Sequence, residues 1–261
     1  MRLQTKLSSI QMLNKVPQVS LYFWIAKIMA TTVGETAADF LSFNLHFGLT
    51  ITTVVMSALL MLALLIQLRA KQYVPSLYWI AVVLISVVGT LITDNLVDNF
   101  GVSLQATTII FSVLLIATFI AWYASEKTLS IHSISTRKRE LFYWAAILFT
   151  FALGTSAGDL VAEGWKLGYS TSALLFASII ALVALVYYAL SVNAILAFWA
   201  AYILTRPFGA SLGDWLSQPT NYGGLNLSTV GTSLIFLGII VGLVTHQTVN
   251  KDNLTHLFSN R

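Results

Sequence analysis

Residues 24–39 read WIAKIMATTVGETAAD, and the same frame returns as WIAVVLISVVGTLITD at 79–94, WAAILFTFALGTSAGD at 144–159 and WAAYILTRPFGASLGD at 199–214. Each copy opens on a tryptophan (Trp24, Trp79, Trp144, Trp199), sets a glycine ten residues on (Gly34, Gly89, Gly154, Gly209) and an aspartate five beyond it (Asp39, Asp94, Asp159, Asp214). Self-similarity at a fixed period is the signature of a repeat architecture. The tryptophans lie 55, 65 and 55 residues apart, room for a second helix in each unit, so the chain is predicted to be four two-helix units. The longer middle interval falls in the basic stretch 125–140.

The composition sets the environment. Of 261 residues, 57% are hydrophobic and 9% charged, against about 25% charged in an ordinary soluble domain. Eight membrane spans of about 20 residues use nearly the whole apolar content, which leaves no room for a separate soluble domain. The expected fold is an all-α membrane protein of eight helices arranged as four parallel repeats. These are 19–68, 76–124, 141–191 and 194–246, with a tail at 1–18, a basic linker at 125–140 and a second tail at 247–261. No signal peptide is read at the amino terminus.

Placing the amino terminus inside puts eleven of the fourteen basic residues in cytoplasmic segments: Arg2, Lys6 and Lys15, then Arg69 and Lys71, then Lys127, Arg137, Lys138 and Arg139, and last Lys251 and Arg261. Only Lys166 falls in an external loop, and Lys27 and Arg206 lie inside spans. Both termini are therefore expected to be cytoplasmic. Topology thus accounts for the net charge of +4, so no nucleic-acid partner is expected; the partner is the lipid bilayer. The absence of cysteine removes disulfides and thiolate metal sites. His46, His132, His246 and His256 are scattered, with no nucleophile–base set, so neither enzyme activity nor a cofactor is expected.

With these four Trp-Gly-Asp sets, the sequence resembles a family of bacterial integral-membrane proteins of unknown function, built from four tandem two-helix repeats, over about residues 20–247. The resemblance implies this architecture and a bacterial inner-membrane location, multi-pass. It implies no activity or substrate.

Helical geometry turns the spacing into faces, because residues four apart stack on one side. Counted from each tryptophan, positions 7, 11, 15 and 19 give Thr31, Glu35, Asp39, Phe43; Ser86, Thr90, Asp94, Asp98; Phe151, Thr155, Asp159, Glu163; and Arg206, Ala210, Asp214, Gln218. Every odd helix thus carries a polar stripe, which in the first unit reaches back to Lys27. Beside it, Gly34 and Ala38, Gly89 and Thr93, Gly154 and Gly158, and Gly209 and Gly213 form small-xxx-small pairs, which let helices approach closely. The tryptophans are expected to be interface anchors at the headgroups.

At about 1.5 Å per residue the glycines fall near mid-membrane and the aspartates about 22 Å in. An ionised carboxylate at such depth turns to a cavity or a partner, and seven of the ten acidic residues lie on these stripes: Glu35, Asp39, Asp94, Asp98, Asp159, Glu163 and Asp214. If the stripes converge, they resemble the acidic rings that select cations. Asp98 and Glu163 would sit outermost. The competing reading is structural, with the aspartates capping the next helix near Thr52, Ser103, Ser170 or Ser228 and Lys27 and Arg206 neutralising acids as buried pairs. Pro207 marks helix seven as a candidate broken helix.

The expected function is a secondary transporter of a cation. The four aspartates are the candidate ligands, Glu35 with Asp39 the candidate proton-coupling pair, and Lys27 and Arg206 the counter-charges. Oxygen ligands without sulfur suit a hard ion such as manganese or magnesium, so any metal would bind the same aspartates. The alternatives are a transporter of a small organic solute and a non-transporting scaffold or sensor. The sequence leaves the oligomeric state open.

Overall fold

The computed structural model describes residues 14–259; Arg2, Lys6 and Arg261 lie outside them, as do the side chains of Lys251 and His256. Among the described residues there are eight long helices and no strand. They are α1 (Leu21–Asp39), α2 (Leu49–Arg69), α3 (Pro75–Asp94), α4 (Leu104–Glu126), α5 (Arg137–Asp159), α6 (Tyr169–Leu190), α7 (Ala194–Ser217) and α8 (Thr229–Ser259). Seven of them, all but α1, are long and apolar enough to cross a membrane. Helix α1 differs because Lys27, Glu35 and Asp39 interrupt it, the first two buried and Asp39 half-buried.

The odd helices form an inner ring in which α1 packs on α3, α3 on α5, α5 on α7 and α7 back on α1. Each even helix packs outside, on the inner helix of the following unit: α2 on α3, α4 on α5, α6 on α7, and α8 on α1, which closes the circle. Burial follows this division. The most apolar windows of α3 and α5 are 61% buried, whereas those of α2 and α4 are 17% and those of α6 and α8 only 11%. The outer helices expose leucine, isoleucine and valine, including Ile51, Val54, Ile109, Leu174 and Leu234; such all-round apolar helices suit lipid rather than water.

The glycines set the ring's tightness, and they do so cyclically. A Cβ on Gly34 would stand 2.5 Å from Ser86 Cβ, on Gly89 2.7 Å from Phe151 Cβ, on Gly154 2.5 Å from Arg206 Cβ, and on Gly209 2.6 Å from Thr31 Cβ. Each motif glycine therefore receives position 7 of the next unit, and the fourth glycine receives position 7 of the first. The four units obey one contact rule about a common axis, as parallel repeats do. Gly158 and Gly213 are looser: added Cβ atoms would lie 3.5 Å from Pro207 Cα and 3.3 Å from Glu35 Cβ.

Several expectations need correction. Trp79, Trp144 and Trp199 are buried within the bundle rather than anchored at its surface, and Trp24 is half-buried. Rings stack on rings there, with Trp122 and Trp199 5.8 Å apart and Phe119 and Trp199 4.9 Å apart. Helix α7 runs unbroken through Pro207. Helix α8 continues to Ser259, so 247–259 is helix rather than tail. Asn14–Val16 are buried, and Lys15 N and Asn14 Oδ1 bond the backbone of Ile134, so this segment folds onto the 125–140 linker.

Candidate functional site: an acid-lined cup

The stripes do converge. At the far end of the bundle, where the odd helices finish, Glu35, Asp39, Asp94, Asp98, Asp159, Glu163 and Asp214 line one cavity of about 140 Å³, together with Phe43, Val97, Leu104, Tyr169 and Gln218. All seven acids singled out in the sequence meet there. Asp39, Asp94 and Asp159 are the last α-helical residues of their helices, and each is followed by one π-helical turn: Phe40–Asn44, Asn95–Asn99 and Leu160–Gly164. Such turns widen a helix and often mark functional sites. The fourth unit departs from the pattern, since α7 runs past Asp214 to Ser217 without a π turn.

The aspartates do not cap the even helices. Gly48 and Gly168 hold the N-cap positions of α2 and α6, while Ser103 caps α4 through its hydroxyl. Among the described residues, the carboxylates of Asp94, Asp159 and Asp214 accept no hydrogen bond from the protein, whereas Asp39 Oδ2 accepts one from Gln218 Nε2 at 3.2 Å. These carboxylates, free of structural bonds, face the cavity. At the mouth Asp98 and Glu163 are exposed, and Tyr169 Oη donates to Glu163 Oε1 at 2.8 Å. A wider hollow of about 540 Å³, which shares Glu163, Tyr169 and Gln218, adjoins it.

One guanidinium forms the floor. Arg206 is fully buried; its Nη2 lies within hydrogen-bond reach of Glu35 Oε2 at 2.8 Å, Thr155 Oγ1 at 2.7 Å and Thr90 Oγ1, which share its two hydrogens, while Nη1 donates to the Thr31 carbonyl at 3.3 Å. Glu35, Thr90 and Thr155 are position 11 of units one to three. The fourth unit has Ala210 there, and its small side chain leaves space for a cation rising from position 7 of its own unit. Arg206 thus ties all four inner helices together, its charge balanced by one carboxylate. Counting Asp39, Asp94, Asp159 and Asp214 above the pair, the cup holds a surplus of acids.

Lys27 was expected as a second counter-charge, and it is not one. Its Nζ is buried without a hydrogen-bond partner and lies 4.1 Å from the centre of the Phe151 ring and 4.3 Å from that of Tyr202. Nor is a closed metal site present: among the described residues no three of His, Asp and Glu stand close enough to hold one ion directly. Sequence reasoning missed Tyr169. Its signal was a departure from the repeat, because the first residue of the even helix is Leu49 in unit one and Leu104 in unit two, 25 residues after the tryptophan, and Tyr169 at the same place in unit three.

The architecture is that of a closed ring of four two-helix units around an acidic cup. Four copies of the Repeat of Unknown Function (DUF347) match residues 22–73, 77–128, 142–193 and 197–253, and the chain belongs to this repeat family. No curated protein and no solved structure matches it.

Proposed function

We propose that the protein is a secondary transporter of a cation, embedded in a bacterial inner membrane with both termini cytoplasmic and the cup open to the outside. The observation that carries the reading is the cup itself: one carboxylate-bearing position repeated on all four inner helices, facing a shared cavity, without structural hydrogen bonds to occupy three of the four. Surplus negative charge in a poorly solvated place requires a cation or protons to neutralise it. The spread of the acids around the wall fits an ion that keeps part of its water. Magnesium-like ions do this, binding through one or two carboxylates, and the cavity has room for a small cation with several waters. Manganese and magnesium are therefore the first substrates to test, with small organic cations next.

The test is flux in proteoliposomes loaded with the purified protein. Asp94→Asn and Asp159→Asn are each expected to lower uptake of the transported ion at least tenfold with unchanged or raised thermal stability, since each relieves repulsion in the cup. Unchanged flux through folded variants would overturn the reading. A loss of stability instead, with no flux in the parent, would favour the scaffold.

A further inference from the structure

Below the Arg206 floor the inner helices close, and the axis of the bundle changes character. Among the described residues the buried side-chain polar atoms without a hydrogen-bond partner include Ser86 Oγ on α3, Tyr202 Oη on α7 and Lys27 Nζ on α1. Ser86 and Arg206 share one level of the ring, and Lys27 and Tyr202 share the next. A solute leaving the cup toward the near end, where α1 begins, must pass these groups. A lysine there is unusual: it is 1% exposed, forms no salt bridge among the described residues, and sets its Nζ against the ring faces of Phe151 and Tyr202. The Phe151 ring is shared, for Arg206 Cζ lies 5.6 Å from the same ring centre. Two cationic groups therefore border one ring, and the only carboxylate bonded to either is Glu35, held by Arg206.

We propose that Lys27 is the proton-binding residue of a cation–proton exchange, its ammonium acting as the charge that a transported cation must displace. This rests on the transport reading above. When protonated, the Lys27 side chain is held by the faces of Phe151 and Tyr202, as cations are held by aromatic rings, and it then repels a second cation on the axis. When a cation moves from the cup toward the near end, one Nζ–H bond of Lys27 breaks. The lone pair stays on nitrogen and the proton passes to water, so one positive charge leaves the axis as the cation enters. The neutral amine then offers a lone pair to the passing ion. Return of a proton to Nζ restores the barrier and prevents backflow. Arg206 cannot serve in this way, because guanidinium does not give up its proton in proteins.

The titratable and charged groups around Lys27 are few. Helix α7 presents Arg206 and Tyr202; Tyr78 of α3 and Tyr143 of α5 lie beside Tyr202. On helix α8, His246 packs against Tyr22, at a ring separation of 5.5 Å. On α1 itself Glu35 is two turns away and Asp39 three, and Asp94, Asp159 and Asp214 lie in the cup beyond the floor. A pH response of the acids is therefore separable from that of the lysine by substitution.

The experiment adds Mn²⁺ to the full-length protein in weakly buffered detergent and reads proton release with an indicator dye alongside bound Mn²⁺. Protons that Mn²⁺ displaces from the acids of the cup are common to both proteins, so the parent is expected to release about one proton more for each ion bound than Lys27→Met does. In proteoliposomes a pH gradient should drive Mn²⁺ uptake by the parent, and Lys27→Met should remove that dependence. Phe151→Leu, which keeps the lysine but takes one ring from it, should shift the midpoint of proton release to lower pH. Equal proton release by the parent and folded Lys27→Met, or an unmoved midpoint in Phe151→Leu should the first variant fail to fold, overturns the assignment while leaving the transport reading in place. Failure of the parent to bind Mn²⁺, Mg²⁺ or any small organic cation overturns both.

Discussion

The two ends of the inner ring are built by the same four helices, yet they are chemical opposites. At the far end positions 11 to 19 of the repeat supply carboxylates and a glutamine around a hollow. Three turns nearer the termini, position −1 and the tryptophan level supply Phe23, Tyr78, Tyr143 and Phe198 with Trp79, Trp144 and Trp199, and the space is filled. Ring centres there are 5.2 Å apart for Tyr78 and Trp79, 5.9 Å for Phe23 and Trp79 and 5.6 Å for Tyr78 and Trp144. The chain then adds a second seal. Lys15 Nζ bonds Glu140 Oε2 at 2.6 Å and the Leu68 carbonyl at 3.2 Å, while Gln67 Nε2 reaches Glu140 Oε1 at 3.3 Å, all of these side chains buried. One end is hollow and lined with acids, and the other is filled by rings and closed by a buried ion pair. Under the transport reading, a ring open at one end and packed at the other is one state of an alternating-access cycle, and the aromatic end is the part that must move.

The boundary between the halves should be the most sensitive point. Arg206→Met leaves Glu35 buried without its partner, and breaking one side of a buried pair costs about 3–5 kcal/mol. Melting in detergent should show that loss, and Arg206→Met combined with Glu35→Gln should recover much of it. If the single variant is as stable as the parent, the floor does not hold the halves together. Next comes the spacing of the ring. Gly89→Val drives its side chain against Phe151 Cβ and the Ala152 backbone nitrogen, 2.7 and 3.1 Å from a first added carbon, and overpacking of this kind costs about 1–3 kcal/mol. Gly238→Ala on the outer helix α8, where an added Cβ meets nothing within 4 Å, is the matched control and should melt with the parent. Equal melting of both would mean that the ring yields, and that the cup's shape does not depend on the glycines.

The repeat made most of this legible from sequence. A period of 55 residues named the units, and a step of four residues drew the stripe. Convergence of Asp39, Asp94, Asp159 and Asp214 followed, since four identical units around one axis bring equal positions to equal depth. What repetition could not give lay where units differ or where closure matters. Tryptophan prefers a membrane interface on average, but the inner ring has four large rings at one level and packs them together, so tertiary context overrode the preference. Lys27 and Arg206 looked alike as basic residues inside spans. Only the ring geometry separates them, because position 7 of unit four faces Glu35, Thr90 and Thr155, and position 3 of unit one faces Phe151 and Tyr202. The Lys15–Glu140 contact spans 125 residues and has no counterpart in the other units, so no periodic reading reaches it. Proline alone pointed to a broken α7, yet the tight seating of Pro207 against Gly154 and Gly158 supports the helix through the lost bond.

The smallest expected effect tests what the aromatic half is for. Tyr78 and Tyr143 are fully buried, and their hydroxyls bond at 2.6 Å across α3 and α5. Tyr143→Phe removes that bond and leaves the rings, so stability should fall by about 1 kcal/mol, the usual net worth of one hydrogen bond. If the seal works by packing alone, flux and its ion selectivity stay at the parent's level. If the hydroxyl pair is also part of the route by which solute leaves the cup, flux falls by more than the stability change explains, and Tyr78→Phe falls with it. An equal response of the two variants, with Trp79 and Trp144 intact, would show that the packed end contains a polar path and is not simply the hydrophobic opposite of the cup.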